Sequence, residues 1–205
     1  MLPTVVGIDF DDVLVHSSSR VRHYLEDCFP DEQIQKFRPE FDYASFFIKP
    51  KSTLIKKDFL TEIVWNGEKH GLSPCFTSTG LWINATAISF ILRLKRSRRK
   101  FEFVIATKRQ DSGLVEEFLA INKIDHLFSK VYAGCYKPEL PIDILVDDYP
   151  VEFLQIAEDS IKTLVIVPRM SYNSVFEGFK SFVYVDMDRV YNKIIDYGKK
   201  TLKES

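Results

Sequence analysis

The sequence predicts an α/β fold, a doubly wound parallel sheet with a small, mainly helical cap inserted after the first strand. Short apolar runs of β-forming residues alternate with helix-periodic segments, the pattern of a parallel sheet. Runs ending at Asp9, Thr107 and Asp147 stop at groups suited to chemistry. The stretch 16–72 breaks the alternation with Pro30, Pro39 and Pro50 and a cluster of aromatic side chains. The expected division is therefore a core from 1–15 and 73–205, with a cap over 16–72.

Val5, Val6, Gly7 and Ile8 form an apolar run before an acidic cluster and read as a buried parallel strand. Ser17 to Ser19 are placed to cap a helix over about 20–28. A second cap helix spans about 56–65 and stops at Asn66-Gly67. Ser73-Pro74 opens the next unit, and a periodic helix over about 81–95 follows Gly80. Thereafter strands are expected at 101–106, 131–133, 142–146, 163–167 and 182–185. Helices are expected over 112–121, 151–158 and 190–200.

A chain of 205 residues with 45% apolar side chains can bury a real core. Its 28 basic and 29 acidic residues leave a net charge of -1, so global charge points to neither nucleic acid nor an anionic membrane. The three cysteines, Cys28, Cys75 and Cys135, are far apart and lack metal or disulfide spacing. No basic segment precedes a long apolar stretch, and no apolar run approaches the roughly 18 residues of a membrane helix. These features read as a cytoplasmic protein with ordinary thiols and no membrane partner.

In open parallel sheets, sites form outside the carboxyl ends of the strands. Asp9, Asp11 and Asp12 follow the first strand, Thr107 and Lys108 the second, and Asp147 and Asp148 a later one. Lys137 lies ten positions before Asp147. Crowded carboxylates repel one another unless a cation neutralises them. Mg2+ takes hard oxygen ligands and a phosphate oxygen, and Asp9 and Asp147 can supply two such ligands. A carboxylate can also attack phosphorus to give an acyl phosphate. Asp11, two positions on, is placed to act as acid and then as base. Thr107, Lys108 and Lys137 can hold phosphoryl oxygens. Taken singly, each of these residues has an ordinary reading as a helix cap, a strand-end hydroxyl or a surface lysine.

As an ordered set they resemble the haloacid dehalogenase-like superfamily. The first motif is Val5-Val6-Gly7-Ile8-Asp9-Phe10-Asp11-Asp12-Val13-Leu14 and the second Phe103-Val104-Ile105-Ala106-Thr107. Lys137 matches the third, and Ile144-Leu145-Val146-Asp147-Asp148 the fourth. The resemblance implies a phosphohydrolase on a Rossmann-like core. Asp9 would be nucleophile and metal ligand, and Asp11 the acid–base group, which also binds metal through its carbonyl. Thr107 and Lys137 would bind phosphate, Asp147 would ligate Mg2+, and Asp148 would support the ion.

Within the superfamily the chain looks most like the 5'(3')-deoxyribonucleotidase group, on the cap position, the placement of Lys137, Tyr149-Pro150, and the run from Val167 to Asn173. It departs from that group at Asp12, where glycine is common, and at Tyr149, where arginine is common. The implied substrate is a nucleoside monophosphate. Other small phosphomonoesters, a nucleic-acid 3'-end and a non-catalytic phosphate-binding protein stay open as alternatives. A response-regulator receiver also uses an aspartyl-phosphate, but its phosphorylated Asp lies on a middle strand. Tyr43, Phe46 and Phe47 are the cap side chains suited to stack on a base, or else form the cap's own core. Arg93, Lys95, Arg96, Arg98, Arg99 and Lys100 could contact nucleic acid. Their place at a helix C-terminus, away from the catalytic strand ends, favours a solvated run.

Overall fold

A computed structural model of the chain describes residues 2–20, 33–34, 48–49, 77–170 and 173–201. Its strands are β1 (Thr4–Ile8), β2 (Gln33–Ile34), β3 (Ile48–Lys49), β4 (Phe101–Ala106), β5 (Lys130–Tyr132), β6 (Ile144–Val146), β7 (Leu164–Pro168) and β8 (Phe182–Val185). Its α-helices are α1 (Ala85–Lys95), α2 (Ser112–Ile121) and α3 (Val190–Thr201). Six strands make one parallel sheet in the order β5-β4-β1-β6-β7-β8. β2 and β3 form a separate antiparallel pair inside the stretch expected to be mainly helical.

The sheet is covered on both faces because its strands are apolar at successive positions. Val6 and Ile8 of β1, Phe103 and Ile105 of β4, and Ile144 and Val146 of β6 face one cluster with Phe90, Ile91, Leu94, Phe118 and Ile194. α1, α2 and α3 all contribute to that face. Val104, Ala106, Leu145, Val165 and Val167 face the other way, onto Phe153, Phe176 and Phe182. Gly7 points to this second face, where a side chain would meet Ile142 Cδ1 at 2.9 Å, so the close strand-to-loop approach needs glycine.

Most element boundaries agree with the sequence. β4, α2 and β8 fall on the expected residues. Asp111 caps α2, accepting the Gly113 N–H at 2.7 Å. α1 starts four residues later than its periodicity suggests. Asn84 caps it, accepting from Thr86 N (3.1 Å) and Ala87 N (3.3 Å), while Ile83 bridges Val15 instead of joining the helix. The helix expected over 151–158 is not an α-helix. Two 3-10 turns, Val151–Gln155 and Glu158–Ser160, link β6 to β7. Pro150 starts the first turn without a side-chain cap, and Phe153 anchors it in the core, which tethers the link in 3-10 turns.

Two further outcomes bear on function. Lys100 lies at the start of β4, where its carbonyl accepts Thr4 N, so the basic run sits at the sheet edge opposite Thr107. Arg93 stacks on Tyr191 at 3.9 Å and Lys95 Nζ donates to the His126 carbonyl, tying both to the chain's own surface. Among the described residues, no helix is long and apolar enough to cross a membrane.

Candidate active site

The site lies at the carboxyl ends of β4, β1 and β6, the middle of the sheet. β1 pairs with β4 on one side and β6 on the other, in the register Ile105↔Ile8↔Val146. That register sets Asp9 beside Asp147, and Asp9 N donates to Val146 O at 2.9 Å. The chain then turns sharply. Asp9 Oδ1 accepts Phe10 N at 2.8 Å, and Val15 N returns to Phe10 O at 3.0 Å. Phe10 drops into the core, edge-on to Phe118 of α2 at 5.4 Å.

Asp12 occupies the tightest point of this turn with φ of 54°, a left-handed conformation that glycine adopts without strain and Asp tolerates. Its carboxylate explains why Asp stands there. It accepts Ser18 N at 2.8 Å and the Ser18 hydroxyl, and Ser17 Oγ lies against it. A helical turn begins at Ser17, and the capping carboxylate comes from Asp12 rather than from the serines themselves. Asp12 thus belongs to the scaffold under Asp9 and Asp11.

Asp9, Asp147 and Asp148 are buried, with carboxylate oxygens within 4.8 Å of one another. Lys137 enters this cluster from the 3-10 turn Lys137–Glu139, donating to Asp147 Oδ2 at 2.7 Å and reaching Asp9 Oδ1 at 3.0 Å. Asp147 Oδ1 accepts Tyr149 N at 2.8 Å. Burial first, then the neighbouring Asp147 and Asp11 carboxylates, push Asp9 up from 3.8 to about 8, with Lys137 opposing. Burial alone would lower Lys137, but Asp147 and Asp9 outweigh it and hold the ammonium charged well above its usual range. Lys137 bridges Asp9 and Asp147, and a cation among these closely spaced carboxylate oxygens would favour the ionised form of Asp9.

Thr107 is almost fully buried at the end of β4, and its hydroxyl accepts Arg109 N at 3.2 Å while keeping a proton to donate. The residue after it, Lys108, is the one that the sequence offers as a further phosphate-binding group. Lys108 is half-exposed and pairs with Glu152, whose other oxygen accepts Lys137 N at 3.2 Å. Glu152 thereby ties the loop after β4 to the loop that delivers Lys137. Arg109 was not legible as a site residue, yet it grips Asp11 with both arms, Nε to Oδ2 at 2.8 Å and Nη2 to Oδ1 at 2.7 Å. Its position two residues after Thr107 was the available signal.

Asn173 is the second residue that sequence reasoning left without a role. It is fully buried, and its amide uses all four hydrogen-bonding positions. Nδ2 donates to Asp148 O and Pro168 O at 2.8 Å each, and Oδ1 accepts Met170 N (2.9 Å) and Tyr184 Oη (3.1 Å). It fixes the strand end of β7 against the acidic pair. Asn173→Leu is expected to cost about 2–4 kcal/mol, because buried polar partners are orphaned. A denaturant titration checks this; a loss under about 0.5 kcal/mol, typical of a surface change, would remove the assignment. Tyr43, Phe46 and Phe47 lie outside the described residues.

No family model and no curated protein matches the sequence. Solved structures do resemble it. A haloacid dehalogenase-like family hydrolase from Streptococcus pneumoniae gives a TM-score of 0.57 at 15% identity, over 95% of this chain and 98% of that one. A predicted phosphatase from Clostridium acetobutylicum gives 0.57 at 14%, over 96% and 100%. A predicted phosphoglycolate phosphatase from Haemophilus somnus gives 0.54 at 14%, over 94% and 98%. Such low identities speak to architecture, and the near-complete coverage of both partners means that this chain has the haloacid dehalogenase-like fold.

Proposed function

We propose that the chain is a magnesium-dependent phosphomonoester hydrolase that works through an aspartyl-phosphate on Asp9. The observation that supports this best is the set of three buried, closely spaced carboxylates, Asp9, Asp147 and Asp148, with Lys137 bridging the first two. The donor set fits Mg2+: the ligand atoms are hard oxygens and closely spaced. Asp9, Asp147 and the Asp11 carbonyl would hold the ion, with Asp148 beside it. When bound, it offsets the negative charge of the carboxylates and of the phosphoryl oxygens.

The remaining work falls to the chain's own groups. The Asp9 carboxylate attacks phosphorus, and the bond from phosphorus to the leaving oxygen breaks as Asp11 gives that oxygen a proton. Asp11 then takes a proton from water as the water attacks the acyl phosphate, which frees Asp9 and inorganic phosphate. The Thr107 hydroxyl and the Lys137 ammonium hold the non-bridging oxygens in both steps. Lys108, tied to Glu152, steadies the loops that present them.

The substrate we favour is a nucleoside monophosphate, on the likeness of the Tyr149-Pro150 segment and the run ending at Asn173 to the deoxyribonucleotidase group. The segment 16–72 would act as the cap that chooses it, with Tyr43, Phe46 and Phe47 as stacking candidates. The remote position of the basic run weighs against a nucleic-acid substrate. Phosphate release should be measured over nucleoside monophosphates, sugar phosphates and a 3'-phosphorylated oligonucleotide, with magnesium and with chelator. Release from nucleoside monophosphates alone or above the rest, and only with metal, is expected. Release from none of the panel would sink the phosphatase reading, and a preference for the oligonucleotide would sink the substrate.

A further inference from the structure

We propose that Arg109 is the positioning residue for Asp11, aligning that carboxylate with the leaving oxygen. The proposal rests on the phosphatase reading above. A carboxylate on a short side chain keeps two free torsions, and proton transfer is sensitive to the direction of its lone pairs. The guanidinium fork of Arg109 removes that freedom, with one N–H on each oxygen at 2.7 and 2.8 Å. A two-point pair sets the plane of the carboxylate. It also leaves a second lone-pair position on each oxygen, where Asp11 can carry the proton it gives to the leaving oxygen and later accept one from water.

The fork is itself held. Its guanidinium carbon lies 5.4 Å from the centroid of the Phe10 ring, which is fully buried and rests edge-on against Phe118. Arg109 N donates to Thr107 Oγ1 at 3.2 Å, and its carbonyl accepts Gly134 N at 2.6 Å. Its backbone is therefore pinned on one side to Thr107 after β4 and on the other to Gly134 after β5. The pair is sheltered, with side chains 12% and 17% exposed, so it differs from a loose surface ion pair. The nearby lysines have other partners: Lys137 holds Asp9 and Asp147, and Lys108 holds Glu152. Arg109 links the element proposed to bind phosphate to the group proposed to move the proton.

The test compares kcat/KM for a nucleoside monophosphate, whose alkyl oxygen needs a proton to leave, with that for 4-nitrophenyl phosphate, whose leaving group does not. This parameter covers steps through transfer of the phosphoryl group to Asp9, so later hydrolysis does not enter. Arg109→Ala should lower kcat/KM on the nucleotide about a hundredfold and on the aryl phosphate less than about fivefold. Arg109→Lys, which keeps the charge without the fork, should stay at least about tenfold down on the nucleotide. The ratio of the two values on one preparation is independent of how much protein is folded. An equal fall on both probes, or full recovery with Lys, would overturn the proposal. So would a loss confined to 3-phosphoglycerate, which would make Arg109 a contact for a second anionic group. Failure of the wild-type protein on all three probes with magnesium would instead overturn the phosphatase reading, and this inference with it.

Discussion

Asp9→Asn should reduce phosphate release by at least about four orders of magnitude and leave the chain folded. An amide oxygen cannot form the acyl phosphate, so the reaction loses its covalent route rather than one stabilising contact. The fold should persist because the carboxylate is surplus to packing. It is buried among Asp147, Asp148 and Asp11, and its charge is opposed by its surroundings. Asn has the same shape and no charge, and Lys137 keeps its bond to Asp147. A thermal melt of the metal-free variant should therefore show a midpoint at neutral pH no lower than wild type. A variant that keeps more than a small fraction of the wild-type rate would remove Asp9 from the nucleophile role. A variant that melts well below wild type would show the acid to be structural.

The second large effect concerns metal and pH together. Chelator-treated protein should be inactive, and magnesium should restore it and raise the melting temperature. Without metal, the raised value of Asp9 means that the folded chain keeps a proton that the unfolded chain gives up between 3.8 and about 8. The folded state binds more protons over this window, so stability must fall as pH rises through it. Lys137, raised above its usual value, stays charged throughout and adds no slope there. A bound cation favours the ionised carboxylate and should flatten the decline. Melts between about pH 5 and pH 8, in chelator and in magnesium, test both parts. Asp9→Asn should remove most of the metal-free slope. An unchanged slope in the variant would assign it to another group, and no shift with magnesium would remove the metal site.

Much of the fold was legible in the sequence because its information is local. A strand buried on both faces must be apolar at nearly every position, and residues 5–8, 101–106 and 144–146 are. α2 falls on residues 112–121, where the sequence places a helix. The grouping of Asp9, Thr107 and Asp147 was also readable, since each stands just after a strand end and parallel strands deliver those ends to one edge, with Lys137 joining from the turn before β6.

What only the tertiary structure decided depends on partners far along the chain. Arg109 meets Asp11 across 98 residues, and Asn173 meets Asp148 across 25. No spacing rule connects such pairs; the strand order β4-β1-β6-β7 does. The link over 151–160 has helix-forming residues, yet Phe153 anchors it in the core and it stays in 3-10 turns, because packing outweighs local propensity over so few residues. Asp12, where glycine was the expected residue, holds a left-handed turn because its carboxylate finds Ser18 N and the Ser18 hydroxyl. The sequence by itself determined which residues end the strands. The tertiary structure decided which side chains hold those ends in place, since hydrogen bonds and ion pairs form only after the sheet has brought distant segments within reach.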